Sequence, residues 1–151
     1  MTTPPAPALP AKLERFLEGL SLFEDRSERI QALIEIAGRF KGVPESVARR
    51  PYGEDHKVPA CESQAYVWSV PQPNGTRKFH FAVENPQGIS AMALAVILDE
   101  TLSGAPPAEV AAVPGDVVYR IFGNELSMGK SMGLMTLLSM VQREAQKSLA
   151  R

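Results

Sequence analysis

Apolar residues early in the chain recur at three- and four-residue spacing. Leu13, Phe16, Leu17 and Leu20 share one face of a helix that starts near Ala11. Gly19 weakens its last turn. A second apolar stripe runs through Ile30, Leu33, Ile34, Ala37 and Phe40. Asp25 and Glu28, an Asp variant of the capping box, open that helix. Gly38, Gly42 and Pro44 close it. Two short amphipathic helices joined by a brief polar turn predict a helical hairpin.

From Val43 to Pro59 the periodicity disappears. Pro44, Pro51, Gly53 and Pro59 punctuate a polar stretch that holds Arg49, Arg50, Glu54, Asp55, His56 and Lys57. A structureless loop of this length in a small domain is more often functional than decorative. It leads directly to Cys61.

The period then changes to two. Gln64 to Val70 is rich in β-branched and aromatic residues. In Lys78 to Val83, Phe79, Phe81 and Val83 face one way while Lys78, His80 and Ala82 face the other. Pro71-Gln72-Pro73-Asn74-Gly75 between them places Asn-Gly at the tip of a β-hairpin. The residues just before Cys61 are expected to add a short third strand.

Ile89 to Leu102 is apolar nearly all round and predicts a helix central to the core. Pro106, Pro107 and Pro114 break the next stretch into short helical pieces. A last helix runs from about Ser131 to Leu149, with Leu134, Leu137, Leu138, Val141 and Ala145 as its buried stripe. Met128, Met132, Met135 and Met140 near its start read as gap-filling core, with a soft partner-binding edge as the second reading. The charge runs Glu24–Arg29 and Arg143–Lys147 read as solvated helix faces. Helices, then a hairpin, then helices define an α+β domain, its small antiparallel sheet covered by helices. Pro4, Pro5, Pro7 and Pro10 make residues 1–10 a disordered Pro-rich tail, and residues 11–151 form a single domain.

Composition narrows the partners. Hydrophobic residues are 44%, charged residues 22% and the net charge is −1, the balance of a globular domain. No basic stripe with interleaved aromatics is present, so nucleic acid is not expected. No apolar run is long enough to cross a bilayer, so no membrane is expected. Residues 1–10 lack the charge and apolar centre of a secretory signal, and a reduced, cytoplasmic setting is the expectation.

The chain has one cysteine, in Val58-Pro59-Ala60-Cys61-Glu62-Ser63-Gln64. A disulfide within the chain is excluded, and so is a thiolate-rich zinc or iron–sulfur site. Cys61 is then either a small buried hydrophobe or a working thiol. His56, in the preceding loop, admits a Cys–His pair that nothing in the sequence places in contact. His80, on the polar face of a strand, reads as solvated. The His, Asp and Glu residues show no metal-ligand spacing, and Gly123 to Gly133 lacks a phosphate-loop pattern. Neither a metal nor any other cofactor is expected.

The order of these parts resembles the SufE family, the sulfur-acceptor partners of cysteine desulfurases in iron–sulfur cluster assembly. Leu33-Ile34-Glu35-Ile36-Ala37-Gly38 is similar to the family's L-I-E-L-G helix. Pro44 and Arg49-Arg50 fall on its Pro and Arg loop, and Val58 to Ser63 on its V-x-G-C-x-S signature. Lys130-Ser131-Met132-Gly133-Leu134 falls on its R-x-x-G-L motif. The chain departs from the pattern at Ala60, which replaces a glycine, and at Tyr66, which takes a tryptophan position with Trp68 two residues on. Glu84-Asn85-Pro86 replaces an acidic turn. Lys130 replaces an arginine and keeps its charge but not its planar fork.

The resemblance implies a SufE/IscU-like fold and a sulfur-transfer accessory protein with no turnover of its own. Cys61 is its persulfide acceptor, supported by Ala60, Glu62, Ser63 and Lys130. Its partners would be a SufS-like cysteine desulfurase, itself using pyridoxal phosphate, and an iron–sulfur scaffold complex. A cation at Lys130 would favour the thiolate. The long loop and the aromatics Tyr66, Trp68 and Phe79 are the expected cover for Cys61. Three other readings are weighed beside this one. An iron–sulfur scaffold fails on ligand count. A peroxidase or redox sensor lacks a resolving cysteine. An interaction module would leave the thiol incidental.

Overall fold

The computed structural model describes residues 9–123 and 126–149. Helix α1 (Ala11–Ser21) buries Leu13, Leu17 and Leu20. Helix α2 (Arg26–Ala37) starts at Asp25, whose carboxylate accepts from the Ser27 N–H at 2.8 Å. Strands β1 (Ala65–Pro71) and β2 (Arg77–Val83) form one antiparallel pair in which Val67 faces Phe81 and Trp68 faces His80. Gly75, at φ 85°, provides the left-handed residue of the connecting turn. Helices α3 (Ile89–Leu102), α4 (Pro107–Ala111), α5 (Val117–Phe122) and α6 (Met128–Gln146) complete the domain.

The central helix α3 packs on α1, α2 and β2, while α6 packs on β1 and α4. Leu94, Ile97, Leu98 and Leu102 of α3 are fully buried, as the all-round apolar pattern requires. The hairpin lies against α3 and α6, and its outward aromatic face is covered by the long loop. Tyr52 sits 4.9 Å from the Trp68 ring and 5.1 Å from Tyr66, and His56 stacks on Trp68 at 5.4 Å. Arg50 fixes that loop through a two-pronged pair with Glu84 at 3.0 and 2.9 Å. Among the described residues no helix is long and apolar enough to cross a membrane.

Several expectations change. The third strand shrinks to one bridge between Lys57 and Tyr66. Pro59 has no N–H to extend the ladder, and Ala60 turns the chain away at φ 58°. On α2 the core face is Leu33, Ile36 and Ala37; Ile30 and Ile34 are exposed instead. With Phe23 and Ile89 they border a groove of about 500 Å³. Helix α6 begins three residues earlier than expected, because the Ser127 hydroxyl accepts from the Lys130 N–H. Met128 and Met132 lie exposed on that added turn and beside it, while Met140 is in the core.

The charge runs are not wholly solvated. Arg29 donates to the carbonyls of Arg120 and Ile121 and so caps the end of α5. Glu144 is buried, accepting from Ser69 at 2.7 Å and pairing with Lys147. Residues 1–8 of the expected tail lie outside the described residues. Leu9 packs on the core and Pro10 is buried.

Candidate functional site

The Cys61 loop leaves the core at Val58, which is 1% exposed, and returns at Ala65, which is fully buried. The Val58 N–H donates to the Ala65 carbonyl at 2.8 Å and closes its base. Between these anchors two residues take left-handed backbone conformations, Ala60 at φ 58° and Gln64 at φ 52°. They are the only non-glycine residues with positive φ among those described. Both bracket the cysteine. The Gln64 N–H turns back to the Cys61 carbonyl at 3.2 Å. The result is a tight excursion with Cys61, Glu62 and Ser63 at its outer end.

Two neighbouring segments hold the loop. The turn after β2 donates from Glu84 N–H to the Gln64 carbonyl and from Asn85 N–H to the Ser63 carbonyl, each at 3.1 Å. Gly88, at the start of α3, leaves no room for a side chain. A Cβ there would stand 2.8 Å from Ser63 and 2.9 Å from Val83. On the other side is α6. A Cβ on its Gly133 would lie 3.4 Å from both the Ala60 carbonyl oxygen and the Cys61 Cα. The missing side chain lets the helix meet the loop backbone.

Cys61 is half-buried and packs against the core. It borders two clefts. The inner one, about 360 Å³, is walled by Glu62, Ser63, the first turn of α3 and Lys130, Gly133 and Leu134 of α6. The outer one, about 600 Å³ and more open, is walled by Glu54 and the run from Lys57 to Glu62. The first turn of α3 and the flank of the first two turns of α6 line the inner cleft.

The five sequence-chosen residues come together here. Ala60 shapes the loop and borders the outer cleft, Cys61 and Glu62 border both, and Ser63 and Lys130 border the inner one. His56 does not join them; its Nδ1 lies 2.9 Å from the Val67 carbonyl and its ring stacks on Trp68. His80 is half-buried opposite Trp68, and burial, then the Lys78 charge, lowers its pKa below the ordinary 6.5. Tyr66 and Trp68 cover neither cleft, and Phe79 is 2% exposed in the core. The end of the long loop, Glu54 and Lys57 to Pro59, borders the outer cleft as expected, while α6 and the start of α3 wall the inner one. Among the described residues no three or more His, Cys, Asp or Glu side chains gather to hold a metal ion.

Sequence reasoning missed Gly88, Asn85 and the contact made by Gly133. A glycine standing where α3 needs a capping residue was the available signal for Gly88.

A small α+β domain that holds one loop cysteine between two helix starts is the class these features define. The SufE family, described as Fe-S metabolism associated domain, matches residues 14–145. The chain therefore belongs to the SufE family and to Fe–S metabolism. The solution structure of a hypothetical protein from Thermus thermophilus has the same fold. It superposes with a TM-score of 0.75 at 24% identity, over 95% of this chain and 100% of that one. No curated protein matches the sequence.

Proposed function

We propose that this chain accepts sulfur on Cys61 from a cysteine desulfurase and passes it to the iron–sulfur assembly machinery in the cytoplasm. The observation that carries the reading is the single cysteine, held half-buried at a cleft in a loop that resembles the family's acceptor motif. The donor holds sulfur as a persulfide, R–S–S–H. The Cys61 thiolate attacks the outer sulfur, the donor's S–S bond breaks, and the donor's sulfur leaves as a thiolate with the bonding pair. Cys61 then carries S–S–H, with no oxidant or reductant consumed. One thiol suffices, because a second nearby would expel the sulfur by forming a disulfide. The chain supplies no acid–base pair and no cofactor of its own; the donor brings pyridoxal phosphate.

The loop anatomy supports this role. Between encounters, Gly133 and the first turn of α3 shelter the sulfur from small thiols. The loop is tied down chiefly by a few backbone hydrogen bonds, so it opens at lower cost than the core.

The test is mass spectrometry after incubation with a cysteine desulfurase and cysteine. The wild type gains one or more sulfur atoms, and cyanide removes them as thiocyanate. Cys61→Ser folds with an unchanged thermal midpoint but gains no sulfur and no longer stimulates the desulfurase. Undiminished stimulation by the Ser variant sinks the role. A gain that cyanide leaves in place identifies sulfinic acid and the redox-sensor alternative.

A further inference from the structure

The charges around Cys61 are placed unequally. Glu62 borders both clefts, whereas Lys130 borders only the inner one. Glu62 Oε1 lies 3.6 Å from the point that a Cβ on Gly129 would occupy. The carboxylate thus reaches over the first turn of α6, two residues into the helix. That turn is also where a small anion entering the cleft would be drawn, by the helix end and by Lys130. Glu62 puts a fixed negative charge on that spot, on the residue next to the sulfur. Glu54 and Lys57, on the outer cleft, offset one another.

We propose that Glu62 is a specificity-determining residue that keeps small anionic thiols away from the sulfur of Cys61. The inference rests on the reading that Cys61 carries a persulfide. Such a persulfide is discharged when a small thiolate attacks its outer sulfur. The bond from that sulfur to Cys61 Sγ breaks, and Cys61 leaves as a thiolate with the bonding pair. A thiol that also bears a carboxylate is doubly charged at attack and is the reagent Glu62 turns away. With glutamine at this position, Lys130 and the α6 dipole would concentrate such thiols at the sulfur.

Paired alkylation reads this charge directly. Iodoacetate and iodoacetamide attack the same thiol, so changes in loop opening or thiol reactivity cancel in the ratio of their rates. Two unit charges about 7 Å apart in water-like surroundings alter an encounter about two- to threefold. Glu62→Gln is expected to raise the iodoacetate-to-iodoacetamide ratio by that factor, and Lys130→Gln to lower it. Both differences vanish at 1 M salt, where screening acts within about 3 Å. On sulfur-loaded protein, Glu62→Gln likewise speeds discharge by mercaptoacetate relative to mercaptoethanol. An alkylation ratio unchanged in Glu62→Gln overturns the role of Glu62, whatever Cys61 carries. A shifted ratio supports it, and failure of sulfur loading in the same preparation counts against the carrier reading alone.

Discussion

Ala60 holds a conformation that glycine holds without strain, so Ala60→Gly is expected to stabilise the protein. At φ 58° an L-residue brings its Cβ against the following carbonyl oxygen, at a cost of roughly 1–2 kcal/mol. Glycine removes that cost but gives the unfolded chain more freedom, which returns about 0.4–1 kcal/mol. Ala60 is exposed, so almost no burial is lost with its methyl group. The balance is a gain of about 0.5–1 kcal/mol. For a chain of this size that raises the thermal midpoint by about 1–4 °C. In urea the midpoint rises while the slope stays constant. On the proposed reading the same strain bears on function, because it lies beside the acceptor thiol and would be released when the loop opens. Ala60→Gly therefore favours the closed loop, and Cys61 reacts with iodoacetamide about two- to fivefold more slowly when opening limits the reaction. An unchanged or lower midpoint would refute the strain. A higher midpoint with unchanged alkylation would separate that strain from loop opening.

Gly88→Ala should destabilise the protein by about 1–3 kcal/mol, because Ser63 and Val83 must both move to admit a methyl group. Urea unfolding measures it, and a loss under about 0.5 kcal/mol would show that the loop yields freely. His80 gives a pH dependence whose sign follows from its lowered pKa. The unfolded chain takes up the proton first, so the contribution is full above pH 6.5 and is lost as pH falls through the folded pKa. His80→Gln should flatten the fall in urea midpoint below pH 6.5, and an unaltered profile assigns the fall to other groups.

Local pattern carried most of the fold. The bounds of α3 match the apolar run from Ile89 to Leu102, and Asn74-Gly75 marks the hairpin turn, because both signals lie within a few residues of what they specify. Helix α2 shows where such reasoning stops. Its apolar residues admit two overlapping stripes, one through Ile30 and Ile34 and one through Leu33 and Ile36. Only the position of α3 decides which is buried. The loop from Val43 to Pro59 was recognisable as a loop, but its return over Trp68 through Tyr52 and His56 depends on distant partners. At the site, Cys61 and its neighbours stood out by composition and motif. The close approaches at Gly88 and Gly133 did not, since a glycine's missing side chain has meaning only once the segment opposite it is known.

These approaches explain why the loop can be both sheltered and available. Gly133 brings α6 against the backbone of Ala60 and Cys61, and Gly88 brings α3 against Ser63, so the loop is enclosed on two sides. Helix α6 meets mainly loop backbone at Gly133, α3 meets the Ser63 side chain at Gly88, and Cys61 packs its own side chain on the core. Val58 and Ala65 carry the burial, and both lie at the base, outside the segment that must move. Opening therefore breaks the hydrogen bonds from Glu84 and Asn85 and releases strain at Ala60 and Gln64, while the core stays intact. Each backbone hydrogen bond contributes about 0.5–1.5 kcal/mol net, and relief at two left-handed residues offsets a similar amount. Relief of that strain lowers the cost of opening, which must also undo the packing of Cys61 on the core. On the proposed reading, a docking partner that prefers the open loop would gain access to the Cys61 sulfur, and the loop would reclose when that partner leaves.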